Sequence, residues 1–430
     1  MRQEPGPASP PSFARALGFW LKLGCLSFGG PAAQIAMMQA ELVDRLRWID
    51  QRAFLRGLNF CTLLPGPEAQ QLATYAGWRL HGLRGGIAAG ALFVLPGALV
   101  LLALSWLLAA GRELPAVAAV FDGLKPVVVA IVAHAALRIG RRALASWQAW
   151  ALAGGAFVAL FVLRIDFPWV VLGAGLVGWI AGRGGASPFV AAKSHGDEAP
   201  LPEAPAPGGF WRRLAIVAAA YVVLLAIPVA ACIHVLGSEP FLGIAVLFTK
   251  AAFVTFGGAY AVLPYVAEHA VRDLGWLAPA QMLDGLALAE TTPGPLILVL
   301  QYVGFLAAWN AGAPEARLAA AIAGAALATW TTFLPSFALV LLGAPWIERL
   351  HADARIGSAL AAITAAVVGV IANLAVFLAL AVLLPAGKAV DWMSIAAAVA
   401  AFLVLARWSP GIHWMVVAGA ALGAARALLG

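Results

Sequence analysis

The sequence predicts an all-α polytopic membrane protein made of two inverted-topology repeats. Three observations carry this expectation. First, 63% of the 430 residues are hydrophobic and only 11% are charged, whereas a soluble domain is about a quarter charged. Second, several apolar runs reach about 18 residues or more, the length of a membrane-spanning helix. Third, one signature occurs twice. Phe28-Gly29-Gly30-Pro31, Trp48 and Leu64-Pro65-Gly66-Pro67 return as Phe256-Gly257-Gly258, Trp276 and Thr292-Pro293-Gly294-Pro295.

Residues 1–12 are polar and Pro-rich, and no cleavable signal peptide is read there. The pieces 13–28, 32–47, 49–64 and 68–80 are each too short to cross about 30 Å at about 1.5 Å per residue. They read as two hairpins of short helices with FGG and PGP at the tips. Full spans are expected near 85–110, 116–137, 143–163 and 167–182. A polar Pro/Gly-rich stretch follows, and then a lone span at 213–236. The pattern restarts with pieces at 241–257, 259–273, 279–292 and 295–311, and spans at 318–343, 356–384, 392–406 and 413–428. The expected division is a first repeat (1–182), a cytoplasmic polar linker (183–212), a connecting transmembrane helix (213–236) and a second repeat (237–430).

Shifting Lys22–Pro67 by 228 positions gives Lys250–Pro295 without a gap, and 14 of the 46 positions are identical. Beyond an insertion near Ala311–Arg317 the shift becomes 239, so that Leu95-Pro96 matches Leu334-Pro335 and Val128-Val129 matches Val367-Val368. Shared apolar composition does not explain a gapless match at Lys, Trp, Gly and Pro. The lone span makes the number of crossings between matching points odd, which inverts the second half. Hairpins that return to one side leave that parity unchanged.

The net charge is +7. Arg45, Arg47, Arg52, Arg56, Arg79, Arg84, Arg138, Arg141 and Arg142 crowd the loops of the first half, and the matching loops of the second half are neutral or acidic. Lys and Arg favour the cytoplasmic side, which places the N-terminus and linker inside and the C-terminus outside. No nucleic-acid motif occurs. Cys25, Cys61 and Cys232 lack metal or disulfide spacing and read as small buried hydrophobes. No metal or cofactor is expected, and there is no P-loop or nucleophile cluster to suggest an ATPase or a membrane enzyme.

Inverted repeats with Gly/Pro-interrupted segments in matching positions point to a secondary transporter with a midplane site. Backbone broken inside a membrane is tolerated only within protein or beside a polar cavity. Pro65, Pro67, Pro293 and Pro295 make the breaks, and a helix starting after each PGP aims its first N–H groups inward. Gly29, Gly30, Gly66, Gly257, Gly258 and Gly294 let backbone approach a ligand closely. Together these form a candidate anion site. The other reading is that the breaks are kinks filled by neighbouring helices.

Lys22 and Lys250 share a repeat position and would attract an anion, or else snorkel to an interface. Gln34, Gln70, Gln71 and Gln301 offer hydrogen bonds to oxyanion oxygens, or pack locally. Glu68 and Glu290 are not repeat equivalents. A buried carboxylate beside an anion must be protonated, so both are candidates for proton coupling. The alternative for Glu68 is a helix-start acid meeting the dipole.

Phe28-Gly29-Gly30-Pro31, Arg47-Trp48, the run Leu64–Ala73, Tyr75-Ala76-Gly77-Trp78, Phe93–Gly97, Thr255–Gly258, Gly275-Trp276 and Glu290–Pro295 closely resemble the chromate ion transporter family, in its long two-domain form. The match covers nearly the whole chain apart from the N-terminal tail and the linker. The resemblance implies export of chromate across a bacterial inner membrane, driven by the proton-motive force and giving chromate resistance. Sulfate is the chemically similar dianion. One departure is Ala259, which stands where the first tip has Pro31. Efflux is physically sensible: a dianion leaving a negative interior gains roughly 4.6 kcal/mol per 100 mV, before any coupled protons. Partners are therefore the oxyanion, protons and the bilayer, with no nucleic acid and with a homodimer left open. The alternative is a sulfate or other inorganic anion transporter of the same fold.

Overall fold

The computed structural model describes residues 11–28, 30–111, 114–184, 188–189, 209–237, 239–256, 258–349, 354–383, 390–408 and 411–429. Among these the chain is helical, with no strand. The first half opens with α1 (Phe13–Leu26), started by Ser12, whose hydroxyl accepts from the Arg15 N–H. Then come α2 (Gly30–Gln39), a π-helical turn (Ala40–Arg45), and α3 (Gln51–Leu63), capped by Asp50. The long α4 (Glu68–Gly111) is broken at His81 and Gly82, so it is a short arm that leaves the PGP tip and a long arm beyond the kink. Then follow α5 (Pro115–Ala143), α6 (Trp147–Phe161) and α7 (Phe167–Ala181).

After α8 (Phe210–Leu236) the order repeats. It runs α9 (Phe241–Val254), α10 (Ala259–Glu268), a π-helical turn (His269–Asp273), α11 (Pro279–Thr291), a 3-10 turn (Leu296–Leu298), α12 (Val299–Ala311), α13 (Arg317–Gly343), α14 (Ala354–Leu383), α15 (Trp392–Trp408) and α16 (Ile412–Leu429).

Local geometry repeats with the elements. Both ends of α9 and of α11 lie 228 residues after those of α1 and α3. Arg47 and Gly275, also 228 apart, both have positive φ, 52° and 59°. The Trp48 N–H donates to the Leu42 carbonyl and the Trp276 N–H to that of Ala270, each at 2.9 Å. After the second PGP tip the register slips by one. Gly57 packs on the ring of Tyr75, and Gly285 on that of Tyr302, a separation of 227. The 3-10 turn at Leu296–Leu298, where the first half begins an α-helix at Glu68, accounts for the slip.

The helices sort into two bundles. The inner one holds α1–α4 and α9–α13, where α4 and α13 pack on each other and on the short helices. In the outer one α5 and α14 lie side by side. There α6 and α7 pack on α14, and α15 and α16 pack on α5, so each half covers the other half's central helix. Small residues allow the approach, as is usual between helices in lipid. A methyl on Gly123 would sit 2.3 Å from both the Gly419 carbonyl oxygen and the Gly423 nitrogen. Asp391 accepts hydrogen bonds from Arg426 and Ser394, which tie the start of α15 to α16. The Arg426 bond, aided by Ser394, draws that carboxyl down to about 2. α8 lies outside the inner bundle, held where Trp330 donates to the Leu224 carbonyl (2.7 Å) and Arg213 to that of Leu341 (2.5 Å).

Among the described residues α4, α5, α8, α13 and α14 are long and apolar enough to cross a membrane. The chain is a multi-pass membrane protein. The full span expected at 143–163 is corrected to the 15-residue Trp147–Phe161, about 22 Å long, whereas the span expected at 167–182 is met within one residue by Phe167–Ala181, of the same short length. Ser146 caps α6 late, and the turn at Val162–Leu163 stops it early. α15 and α16, of 17 and 18 residues, stand at the lower limit of a full crossing. α8 begins at Phe210, inside the stretch assigned to the linker, most of which lies outside the described residues. Of the three cysteines only Cys61 is buried, and Cys25 is exposed.

Replacing Gly123 by Ala forces backbone apart in the α5–α16 contact. The expected loss is about 1–3 kcal/mol, read as a lowered thermal midpoint in detergent. Gly154→Ala, with open space at its Cβ, leaves the midpoint unchanged.

Candidate functional site

The site grows from an electrostatic necessity. Each tip breaks a helix within apolar surroundings, and its peptide groups need partners. Those partners come from the opposite half. The Gly66 N–H donates to the Thr255 carbonyl at 2.8 Å, and the Gly294 N–H donates to the Ser27 carbonyl at 2.7 Å. Gly66 and Gly294 are repeat mates, and so are Ser27 and Thr255, so the two bonds are one interaction made twice. The hydroxyls of Ser27 and Thr255 also match, donating back to Leu23 (2.7 Å) and Ala251 (2.6 Å). Both tip glycines have positive φ, 121° and 96°, which L side chains rarely adopt.

The tips also meet the long helices in matched fashion. A Cβ on Gly97 of α4 would lie 2.1 Å from the Pro293 carbonyl oxygen. A Cβ on Gly66 would lie 2.4 Å from the hydroxyl of Ser336 on α13, the mate of Gly97 at shift 239. The four tip segments therefore form one seam between α4 and α13. Gly30 and Gly258 adjoin it, with φ of 79° and 99°, whereas Gly29 and Gly257 lie outside the described residues. Pro65 and Pro293 are half-buried, and Pro67 and Pro295 are buried.

Polar side chains gather at this seam. Gln34 is fully buried and its Nε2 donates to the carbonyls of Ser27 (3.2 Å) and Gly294 (2.8 Å). Both amide hydrogens are thus spent on backbone, which corrects the reading of Gln34 as an oxyanion donor. Gln71 Nε2 donates to the Pro65 carbonyl (2.7 Å) and Gln70 Nε2 to the Thr74 hydroxyl (3.0 Å). One amide hydrogen remains on each. The Oε1 atoms of Gln34, Gln70 and Gln71 and the Ser336 hydroxyl are buried without a hydrogen-bond partner among the described residues. Such groups are rare in folded proteins, and here several share one seam. The helix itself leaves the first-turn N–H groups of α4 without partners.

Glu68 opens α4 and is half-buried. Glu290, near the end of α11, accepts a hydrogen bond from the Tyr260 hydroxyl on α10. Gln301 is engaged at both ends, its Nε2 donating to the Ala98 carbonyl (2.7 Å) and its Oε1 accepting from Thr329 (3.1 Å). It ties α12 to α4 and α13 and keeps one amide hydrogen. Lys22 and Lys250 are both exposed, on the faces of α1 and α9 opposite their buried residues. The structure does not bring them into the seam.

Sequence reasoning missed Tyr260, Thr74 and Ser336. Tyr260 carried a signal: its repeat mate is Ala32, and the mate of Glu290 is Thr62. The bonded pair is absent as a unit from the first hairpin.

Broken helices meeting at a buried polar seam, within a bundle of long apolar helices, define a polytopic membrane transporter rather than a membrane-anchored soluble domain. The chain belongs to the chromate transporter family, whose model, described as "Chromate transporter", matches residues 14–179 and 242–424. It is 35% identical over 411 residues to a chromate transport protein of Pseudomonas aeruginosa, covering 95% of this chain and 90% of that one. It is 29% identical over 413 residues to a chromate transport protein of Cupriavidus metallidurans, covering 94% and 90%. An uncharacterised transporter of Bacillus subtilis is 27% identical over 156 residues, which make up 36% of this chain and 88% of that one. No solved structure matches the chain.

Gln34→Leu strips the Gly294 carbonyl of its side-chain donor while keeping the volume. The expected cost is about 1–3 kcal/mol, seen as a lowered thermal midpoint. Gln39→Leu, at a site near the surface where the amide donates a long bond to Gln51, leaves the midpoint in place.

Proposed function

We propose that the chain is a secondary active transporter that exports chromate across the bacterial cytoplasmic membrane, driven by the proton-motive force. The observation that carries the reading is the seam itself: two tips from each half, bonded reciprocally, around buried polar groups with unused hydrogen-bonding capacity. The chromate transport proteins among its relatives support chromate as the cargo.

In this reading residues 1–182 and 237–430 are oppositely oriented repeats, joined by a cytoplasmic linker (183–212) and the connecting helix. The short α6 and α7 cross or return as a pair, so the parity between matching points stays odd. The N-terminus is cytoplasmic and the C-terminus lies outside. The dianion sits at the seam near Gly30, Gly66, Gly258 and Gly294, facing the first turn of α4 and the spare amide hydrogens of Gln70 and Gln71. Glu290, held by Tyr260, carries the coupled proton, and Glu68, at the start of α4 beside the anion, is protonated when the dianion is bound. The exposed lysines act outside the binding step.

The test is chromate uptake into everted membrane vesicles, with and without a proton gradient and with sulfate as competitor. Gradient-stimulated chromate uptake is expected, and its absence sinks the proposal. Sulfate movement with chromate only a weak competitor selects a sulfate transporter of the same fold. Glu290→Gln is expected to abolish the gradient stimulation while leaving chromate exchange. Lys22→Ala combined with Lys250→Ala is expected to leave the half-saturating chromate concentration unchanged, and a large rise returns the lysines to the binding site.

A further inference from the structure

The two hairpins are equivalent in sequence position but not in surroundings. Hairpin two is covered: α10 packs on α14, and α11 packs on α5, α14 and α16. Residues Ala259–Ala267 are all buried. In hairpin one the mates of Tyr260, Ala261 and Pro264 are Ala32, Ala33 and Ala36, and all three are exposed. A small-residue helix face, of the kind helices use to pack in lipid, is therefore open in one repeat and filled in the other.

What fills it is itself two-fold. Gly123 of α5 packs on Gly419 and Gly423 of α16, and its mate Ala362 of α14 packs on Gly178 of α7. Gly369 of α14 packs on Ala153 and Phe157 of α6, and its mate Ala130 of α5 clusters with Ala401 and Leu405 of α15. The α5–α14 pair thus offers hairpin one an equivalent of the surface it gives hairpin two, with the roles of the two helices exchanged.

One contact makes this exchange specific. At the covered hairpin the Arg272 guanidinium lies 4.9 Å from the ring centre of Phe377 on α14. Moving each residue to its mate, by 228 and by 239, gives Asp44 and Arg138. The cation–ring contact becomes a pair of opposite charges. Both residues are exposed here.

We infer that the exposed face of hairpin one is a second seat for the α5–α14 pair, in which Arg138 meets Asp44. This rests on the transport reading, because two seats on oppositely oriented hairpins are what alternating exposure of one fixed site requires. It goes beyond that reading by naming the moving surface and the charge pair that forms.

The test uses the full chain in native membranes, with Cys25, Cys61 and Cys232 replaced by Ser. Asp44→Cys with Arg138→Cys is treated with a short bifunctional thiol reagent, beside Arg272→Cys with Phe377→Cys as the pair already in contact. Both pairs are expected to cross-link within one chain. Locking the Asp44–Arg138 pair is expected to stop transport, reversibly if a disulfide is used. Charge exchange, Asp44→Arg with Arg138→Asp, is expected to restore the transport lost in each single reversal. The inference is overturned if only the Arg272–Phe377 pair cross-links, since the open face then meets lipid. It is equally overturned if Asp44 and Arg138 link only between chains, which would make the face a contact with a second copy. The cross-links are read without any cargo, so their formation in a chain that moves no chromate refutes the proposed function and leaves the second seat standing.

Discussion

A broken helix in an apolar medium must find partners for its peptide groups, and this fold depends on how that requirement is met. Gly66 and Gly294 each give their N–H to the other half's tip, at Thr255 and Ser27. Water would satisfy these groups at little cost on a surface. Inside the bundle an unpaired peptide group costs several kcal/mol. The reciprocal bonds therefore set the relative position of the halves, and Gln34 adds a second donor to one of the two junctions. Everything polar at the seam is arranged around a junction that neither half can make alone.

The same constraint explains why glycine stands where the chain runs closest. Pro293 meets α4 at Gly97 and Gly66 meets α13 at Ser336, so the long helices are the walls against which the tips are pressed. Ser336 replaces glycine at one wall and brings a hydroxyl, whereas the other wall is bare backbone. The seam is thus symmetric in its backbone and asymmetric in its chemistry. Tyr260 and Glu290 extend that asymmetry to the second hairpin. A symmetric frame suits two arrangements of similar energy, and asymmetric side chains make those two arrangements chemically distinct.

Much of this was legible in the sequence, because Gly and Pro in apolar runs have few uses. The hairpin pieces, the tips and the shift of 228 followed from Phe28–Pro67 and its copy alone. What the sequence could not convey was pairing across the halves. Gln34 and Gln301 look like free amides in a string of letters, yet both donate to distant carbonyls, those of Gly294 and Ala98. Lys22 and Lys250 share a repeat position, but helix phase puts both outward. The length of α6 was overestimated because hydropathy does not register a capping serine or a tight turn. Tyr260 went unremarked because attention followed what the repeats share, and the partner of Glu290 lies in what they do not.

The reciprocal junction also has a consequence in time. Gly66 emerges from the ribosome well before Thr255, the residue that accepts its hydrogen bond. At about 5–20 residues per second the first tip waits on the order of ten seconds or more for its acceptor. During that interval the first four helices cannot hold their final arrangement in the hydrocarbon core, and tip one has to rest nearer the headgroups, where water serves its peptide groups. Insertion of this chain is therefore completed from the back: the second half closes the first, and the order of synthesis becomes part of how the membrane-embedded seam is built.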